Sequence, residues 1–376
     1  ARRPEGVCYA VPGHPGLGEA SAAEITRRAA LEGIPLQVIA GVSAVESSLA
    51  ELGLPPQPHL ALVDALELGG CLVPPFPPSQ PALVLHVHGS ALVGRVSQAL
   101  QAHYPARHPV RLIQATGVES LTLEQLESSL QIGSLAVLYV PPLGAETSFE
   151  AFQELIARLR APDGCPWDRK QTHLSLRTYL LEETYEALDA LDSGNPLKMQ
   201  EEFGDLLLQI VLHAQIAVEA GEFTMADVLR TVHTKIVRRH PHVFGEQEIR
   251  DAEGVLVNWE RLKAAERAAN GKARSSLLDG VALALPALSQ ASEYLKRVAR
   301  VGFDWPDIQA VIRKLEEELG EMHSAGDTTE RNYEIGDLLF AIANLARWYD
   351  VDPESALREA NQRFRKRFAY IEQAAQ

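Results

Sequence analysis

A chain of 376 residues with 35 Lys+Arg against 50 Asp+Glu carries a formal net charge of −15, and 46% of its residues are hydrophobic. That length accommodates two or three domains, each able to bury its own core, and the composition excludes a disordered or collagen-like chain. The acidic balance repels phosphodiester backbones, so no nucleic acid polymer is expected as a partner, while a small anionic substrate is compatible if a divalent cation accompanies it.

The first 148 residues hold 7 basic and 12 acidic side chains and 16 of the 23 prolines, whereas residues 149–376 hold 28 basic and 38 acidic side chains. Two kinds of domain are therefore expected, joined near Pro141-Pro142-Leu-Gly-Ala. In the first, apolar runs at Val7–Val11, Leu36–Ile39, Ala82–Val87, Val110–Ile113 and Leu135–Val140 alternate with helical stretches at Glu19–Glu32, Ala44–Leu52 and Ala91–His103. This pattern predicts βαβ units and a mostly parallel sheet. His86 and His88 fall on one face of the strand at 83–87 and are read as structural. No run of about 18 uncharged apolar residues occurs, no signal-peptide core follows the N-terminus, and Cys8, Cys71 and Cys165 show no CxxC spacing. A soluble, cytoplasmic protein without a membrane partner, in a reducing compartment, is expected.

After residue 149 helical periodicity takes over. Helices are expected over Ala151–Leu159, Leu174–Leu191, Leu197–Ala220 and Met225–Arg238, with a charged linker at Lys263–Ser276. A second set follows at Ala284–Val301, Ile308–Ser324, Glu330–Tyr349 and Glu354–Gln373. The domain map is thus an α/β domain over 1–148, a helical module over 149–262, a linker over 263–276 and a second helical module over 277–376.

The two modules are copies of one another. Glu182-Glu183-Thr184-Tyr185-Glu186 recurs as Glu317-Glu318-Leu319-Gly320-Glu321, an offset of 135, and Glu202-Phe203-Gly204-Asp205 recurs as Glu334-Ile335-Gly336-Asp337, an offset of 132. Lys235 and Arg239 correspond to Arg363 and Arg367, with the same i, i+4 spacing, and Trp167 is loosely echoed by Trp305.

On a helix turning about 100° per residue, Glu182, Glu183 and Glu186 lie in one arc. Taken alone, that arc reads as a solvated acidic edge. The ExxD helix is different, because Phe203, Leu206, Leu207, Leu208, Ile210, Val211 and Leu212 make it apolar nearly all round and predict burial. Carboxylates in such a helix need pairing or a metal. An all-oxygen set suits Mg²⁺, Mn²⁺ or Ca²⁺, and Mg²⁺ is usually shared with substrate phosphates. Lys198, Lys235, Arg239, Arg363 and Arg367 are the candidate phosphate contacts, and Trp167 and Trp305 either stack on a base or pack in the core. His240-Pro241-His242 reads as a structured loop.

The ordered set GCPWD at 164–168, EExxE at 182–186, EFGDLL at 202–207, RRHPHVF at 238–244, VGFDW at 301–305 and GDLLF at 336–340 resembles the MazG family of nucleoside triphosphate pyrophosphohydrolases. The resemblance implies tandem helical bundles, a homodimer in which helices of two subunits complete each site, a Mg²⁺ requirement, and cleavage of NTPs or dNTPs to monophosphate and pyrophosphate by a carboxylate-activated water. It assigns Glu182, Glu183, Glu186, Glu202 and Asp205 to a first site and Glu317, Glu318, Glu321, Glu334 and Asp337 to a second. Of these, Glu183, Glu186, Glu202, Asp205, Glu318, Glu321, Glu334 and Asp337 are the implied metal ligands. The second copy departs at two positions, with Glu330 at the place of Lys198 and Arg363 at the place of Lys235. In residues 1–148, Val11-Pro12-Gly13-His14-Pro15, Gly41-Val42-Ser43-Ala44 and the strand at 83–87 resemble an incomplete tetrapyrrole methylase fold. Two other functions stay open at this point: a silent metal-binding assembly module, and a methyltransferase acting through the N-terminal domain.

Overall fold

The computed structural model describes residues 6–11, 13–17, 19–54, 59–128, 136–249, 251–269 and 276–374. They form two compact units, Ala1–Gln171 and Thr172–Gln376.

The first unit runs α1 (Ala20–Glu32), α2 (Ala44–Leu52), β1 (Ala61–Asp64), α3 (Ala65–Leu68), β2 (Ala82–Val87), α4 (Ser90–Leu100), β3 (Pro109–Gln114), β4 (Gly117–Thr122), α5 (Leu123–Leu126), β5 (Ala136–Val140) and α6 (Phe149–Arg160). The five strands form one sheet in the order β1-β2-β5-β3-β4. Strands β2 and β5 are buried almost throughout, as expected for the apolar runs ALVLHV and AVLYV at the sheet centre. One face packs Ala82, Val84, Leu112 and Leu138 against Leu92, Val93 and Val96 of α4, and the other packs Leu83, Leu85, Val137 and Tyr139 against Leu52 of α2.

The α/β class holds, but the expected mostly parallel sheet does not. Among the described residues only β1 and β2 pair in parallel; β2–β5, β3–β5 and β3–β4 are antiparallel. Two features cause this. A two-residue turn with Gly117 at φ 121° folds β3 and β4 into a hairpin, and β5 enters between β2 and β3, so those two strands never meet. Val7–Val11 and Leu36–Ile39 form no strand among the described residues, and Val7, Leu36, Val38 and Ile39 lie exposed without a partner strand to pair with. Pro12, in the expected PGHP turn, is outside the described residues. His86 and His88 do not share a regular strand face either: β2 bulges between Val84 and Val87, His86 takes φ 59° and its Nδ1 lies 2.8 Å from Asp64 Oδ2, and His88 is past the strand end.

The second unit is helical: α7 (Arg177–Ser193), α8 (Pro196–Ala220), α9 (Met225–Arg239), α10 (Pro241–Phe244), α11 (Ala252–Ala269), α12 (Ala287–Ala299), α13 (Ile308–Ser324), α14 (Thr328–Trp348) and α15 (Pro353–Ala374). Of the stretch read as a linker, residues 263–269 are the end of α11 and 270–275 lie outside the described residues. The helix at 149–160 belongs to the first unit, to which its charge density gave no clue.

Local chemistry sets the hairpins that matter for function. Gly194 at φ 62° ends α7, Asn195 Oδ1 accepts from the Leu197 and Lys198 N–H groups, and Pro196 occupies the first turn, so two residues separate α7 from α8. The second copy repeats the device with Asp327, whose Oδ1 accepts from the Thr329 and Glu330 N–H groups. Such short connections make α7/α8 and α13/α14 antiparallel neighbours. By length and composition α8 could cross a membrane, with a mean hydropathy of 1.3 over its most apolar window, and it packs here against α7 and α9. Its burial is one-sided, contrary to the expectation that it lies wholly inside a bundle: Val211, Leu212, Ile216 and Ala217 are buried, but Phe203, Leu207 and Ile210 are 47%, 39% and 44% exposed.

Candidate active site

The hairpin turn fixes how α7 and α8 meet. Glu183 and Glu186, one turn apart on α7, face Glu202 of α8, and one carboxylate oxygen from each lies within 4.8 Å of the others. In the second copy Glu318, Glu321 and Glu334 converge within the same limit. Glu318 is the most deeply placed of the six, at 6% exposure.

Asp205 and Asp337, one turn beyond Glu202 and Glu334, complete the acidic patch. Loss of solvation pushes the Glu183 carboxyl above its ordinary value, and the charges of Asp205 and Glu186 push it further. Glu202 is raised first by loss of solvation, then by Glu186, Glu201 and Asp205, with Lys198 pulling the other way. Glu334 is raised in the same manner, with Glu321, Asp337, Glu318 and Glu330 adding to the desolvation. Both sites are therefore crowded with like charge. Three convergent carboxylates with no nitrogen or sulfur donor fit a hard divalent ion such as Mg²⁺ or Mn²⁺. Glu182 stays exposed outside the first triad, and Glu317 lies outside the second, bonded to Lys314.

The expected phosphate contacts are placed unequally. Lys198 lies near enough to act on Glu202. Lys235 is half-buried on α9. Arg239 is tied up elsewhere: its Nε and Nη2 donate to Glu266 of α11 at 3.2 and 2.7 Å, and Arg238 reaches the same carboxylate at 2.7 Å. Arg363 pairs with Glu359 on its own helix at 3.2 Å, and Arg367 is exposed. Trp167 and Trp305 are 52% and 42% exposed, so neither is a core aromatic. Trp305 lines a cavity of about 290 Å³ with Leu295, Phe303, Asn344 and the Asp304–Arg347 ion pair. His240 donates through Nδ1 to the Ile236 carbonyl at 2.7 Å and leads into α10, in keeping with a structured loop.

One cation escaped the sequence reading. Lys314, one turn before Glu318 on α13, places Nζ 2.7 Å from Glu317 Oε1 and 2.9 Å from Glu318 Oε1, and these contacts push its pKa up. A Lys at i−4 from a ligand glutamate is the signal that could have found it.

Residues 171–244 match the family model of the MazG nucleotide pyrophosphohydrolase domain, and residues 1–128 match that of the tetrapyrrole (corrin/porphyrin) methylases. The uncharacterized protein YabN of Bacillus subtilis is 38% identical over 388 residues, covering 100% of this chain and 78% of its own length. The nucleoside triphosphate pyrophosphohydrolase/pyrophosphatase MazG of Thermotoga maritima is 49% identical over 226 residues, 60% of this chain and 86% of that protein. The nucleoside triphosphate pyrophosphohydrolase of Escherichia coli K12 is 42% identical over 224 residues, 58% of this chain and 84% of that protein. Alignments of that length exceed either helical module alone. With its two EExxE/ExxD carboxylate triads and its N-terminal methylase-type domain, the chain belongs to the MazG nucleotide pyrophosphohydrolase family.

Proposed function

We propose that this protein hydrolyses nucleoside triphosphates, NTP or dNTP, at the α-phosphorus to nucleoside monophosphate and pyrophosphate, with Mg²⁺ as cofactor. The observation that carries the reading is the convergence of Glu183, Glu186 and Glu202, repeated by Glu318, Glu321 and Glu334, each set within 4.8 Å. In the first site these three, with Asp205 beside them, would hold the cation; in the second, the corresponding three with Asp337. The ion supplies charge neutralisation on the triphosphate and polarises its phosphoryl oxygens. The chain supplies the rest. Lys198 offsets charge beside Glu202, and a carboxylate of the acidic set accepts the proton of the attacking water. In-line attack at the α-phosphorus breaks its bond to the bridging oxygen and releases pyrophosphate.

The same reading includes a homodimer. Phe203, Leu207 and Ile210 on α8 recur at an offset of 132 as Ile335, Leu339 and Ile342 on α14, and the second trio is likewise exposed, at 47%, 47% and 42%. An apolar stripe repeated on both ExxD helices supports a partner subunit closing each site. A cytoplasmic location is part of the proposal.

The deciding experiment incubates the chain with each NTP and dNTP plus Mg²⁺, with EDTA controls, and resolves products by anion exchange. Equal amounts of monophosphate and pyrophosphate are expected; orthophosphate as the primary product, or no turnover with any nucleotide, rejects the reading. Glu202→Gln and Glu334→Gln, made separately, assign the activity to the copies, and sedimentation at several concentrations tests the dimer.

A further inference from the structure

Helix α15 ties the two copies together. It belongs to the second copy and packs on α12 and on α14, the helix that carries Glu334 and Asp337. Two of its polar side chains reach α7 of the first copy instead: Arg358 Nη1 pairs with Asp192 Oδ2 at 2.5 Å, and Gln362 Nε2 donates to Asp189 Oδ1. Both side chains of the ion pair are 19% exposed, which leaves little of it to screening by salt.

The repeat does not supply these acids twice. Past its second triad glutamate α7 runs on from Glu186 to Ser193, whereas α13 stops at Ser324, shortly after Glu321. At the internal offset of 135 Asp189 falls on Ser324, and Asp192 lies in an added turn of α7 that has no counterpart within α13.

The matching helix of the first copy is anchored in another way. On α9 the anchor is Arg239 itself, the residue aligned with Arg367, and its guanidinium is occupied by Glu266. On α15 Arg367 makes no ion pair among the described residues, and Arg363 pairs with Glu359 of its own helix with both side chains more than half exposed. Arg358 and Gln362 form one i, i+4 row on α15, and Arg363 and Arg367 form the next row, about 100° round the helix. Holding and contacting are thus divided between rows. Two ties one turn apart fix where α15 stands and how it is rotated, and the neighbouring row is left open to an anion.

We infer that Asp189 and Asp192 of the first copy are positioning residues for the second, anchoring α15 through Gln362 and Arg358 so that Arg363 and Arg367 meet a polyphosphate at the second carboxylate set. The inference takes its ligand class from the pyrophosphohydrolase reading.

The test measures inorganic triphosphate binding to the full chain by calorimetry in saturating Mg²⁺, in a Glu202→Gln background that weakens the first carboxylate set, with Tm followed in parallel. Asp192→Ala should weaken triphosphate binding about fivefold and leave the affinity for Mg²⁺ alone within about twofold. Asp192→Arg combined with Arg358→Asp, which reverses the pair, should restore triphosphate affinity to within about twofold, as neither change does alone. In an Arg363→Met/Arg367→Met background Asp192→Ala should add no further loss, because its effect runs through those two side chains. Asp192→Asn, which keeps the side-chain volume, serves should the alanine variant lose structure. The inference is overturned if Asp192→Ala lowers Tm but leaves triphosphate affinity unchanged, since the pair then only stabilises the fold. It is overturned equally if the losses from Asp192→Ala and from the two arginine changes add in full. If Arg363→Met/Arg367→Met leaves triphosphate affinity unchanged, α15 contacts no phosphate and the inference falls with it. Failure of the wild-type chain to release pyrophosphate from any NTP rejects the hydrolase reading and leaves the binding comparison standing.

Discussion

Replacing Arg239 separates two roles for one side chain. The repeat aligns it with Arg367 and marks it as a phosphate contact, but the structure commits its guanidinium to Glu266, joining the end of α9 to α11. The side chains of Arg239 and Glu266 are 17% and 12% exposed, and the Arg239 hydrogen bond is the main cause of the lowered Glu266 pKa. Breaking a fully buried pair costs about 3–5 kcal/mol. This pair is covered by its own two helices rather than sunk in a core, and Arg238 remains to hold Glu266 at 2.7 Å, so Arg239→Met should cost about 1–2 kcal/mol. For a unit of this size that corresponds to a fall in Tm of roughly 3–6 °C. Glu266→Gln, which strands both arginines, should cost at least as much, and the double variant should show coupling of about 1 kcal/mol in a denaturant cycle. The KM for nucleotide should change less than twofold in Arg239→Met. A tenfold rise in KM with stability unchanged within about 0.5 kcal/mol would refute the structural assignment and restore the phosphate role.

Three further outcomes are expected. Raised carboxyls take up protons on folding as pH falls, so the stability due to Glu183, Glu202 and Glu334 is gained as pH drops through their folded pKa and lost as pH rises through it; in EDTA the helical unit should gain Tm, relative to a Glu202→Gln/Glu334→Gln variant, as pH falls from neutrality toward the ordinary glutamate range, and Mg²⁺ should cancel the difference. An identical pH profile for the two proteins would contradict this. Leu138→Ala, in the central strand and fully buried, should cost about 2–5 kcal/mol in urea denaturation of the N-terminal unit. Asn195→Ala removes the side-chain acceptor for two N–H groups and should cost about 1 kcal/mol; because that cap fixes where α8 begins, calorimetry should also find weaker Mg²⁺ binding at the first site.

The helical half was legible because its signals are local. Gly194-Asn195-Pro196 spells out a stop, a cap and a first turn, and the observed α8 starts within one residue of the expected one. The acidic sets were legible for the same reason, since i, i+3 spacing on two helices joined by a short turn leaves few ways for Glu183, Glu186 and Glu202 to miss one another. Arg239 and Lys314 were misread or missed because their roles depend on partners chosen in three dimensions, Glu266 on a helix read in part as linker and Glu318 one turn along α13. Sheet order failed on a different ground. Strand identity follows from apolar runs, whereas whether β5 enters between β2 and β3 is decided by non-local pairing that no run of residues encodes. Edge strands are poorly signalled as well: β4, with the sequence GVESLT, is too polar and exposed to announce itself.

What the duplication retains also orders its functions. The acids converge in both copies, the hairpin cap is rebuilt with Asp327 in place of Asn195, and the apolar stripe keeps its offset and its exposure. The cations are not kept in place. Carboxylates that share an ion must meet it at ligand distance, which ties each to a fixed position on its helix. A lysine that meets a flexible polyphosphate acts as a mobile point charge and can be supplied from either helix. A chain of net charge −15 therefore needs its acids in fixed places and its few local cations only within reach. Under that constraint the copies can diverge in the cations beside their acids without diverging in how the acids converge, and Lys198→Met should weaken nucleotide affinity in the first copy alone.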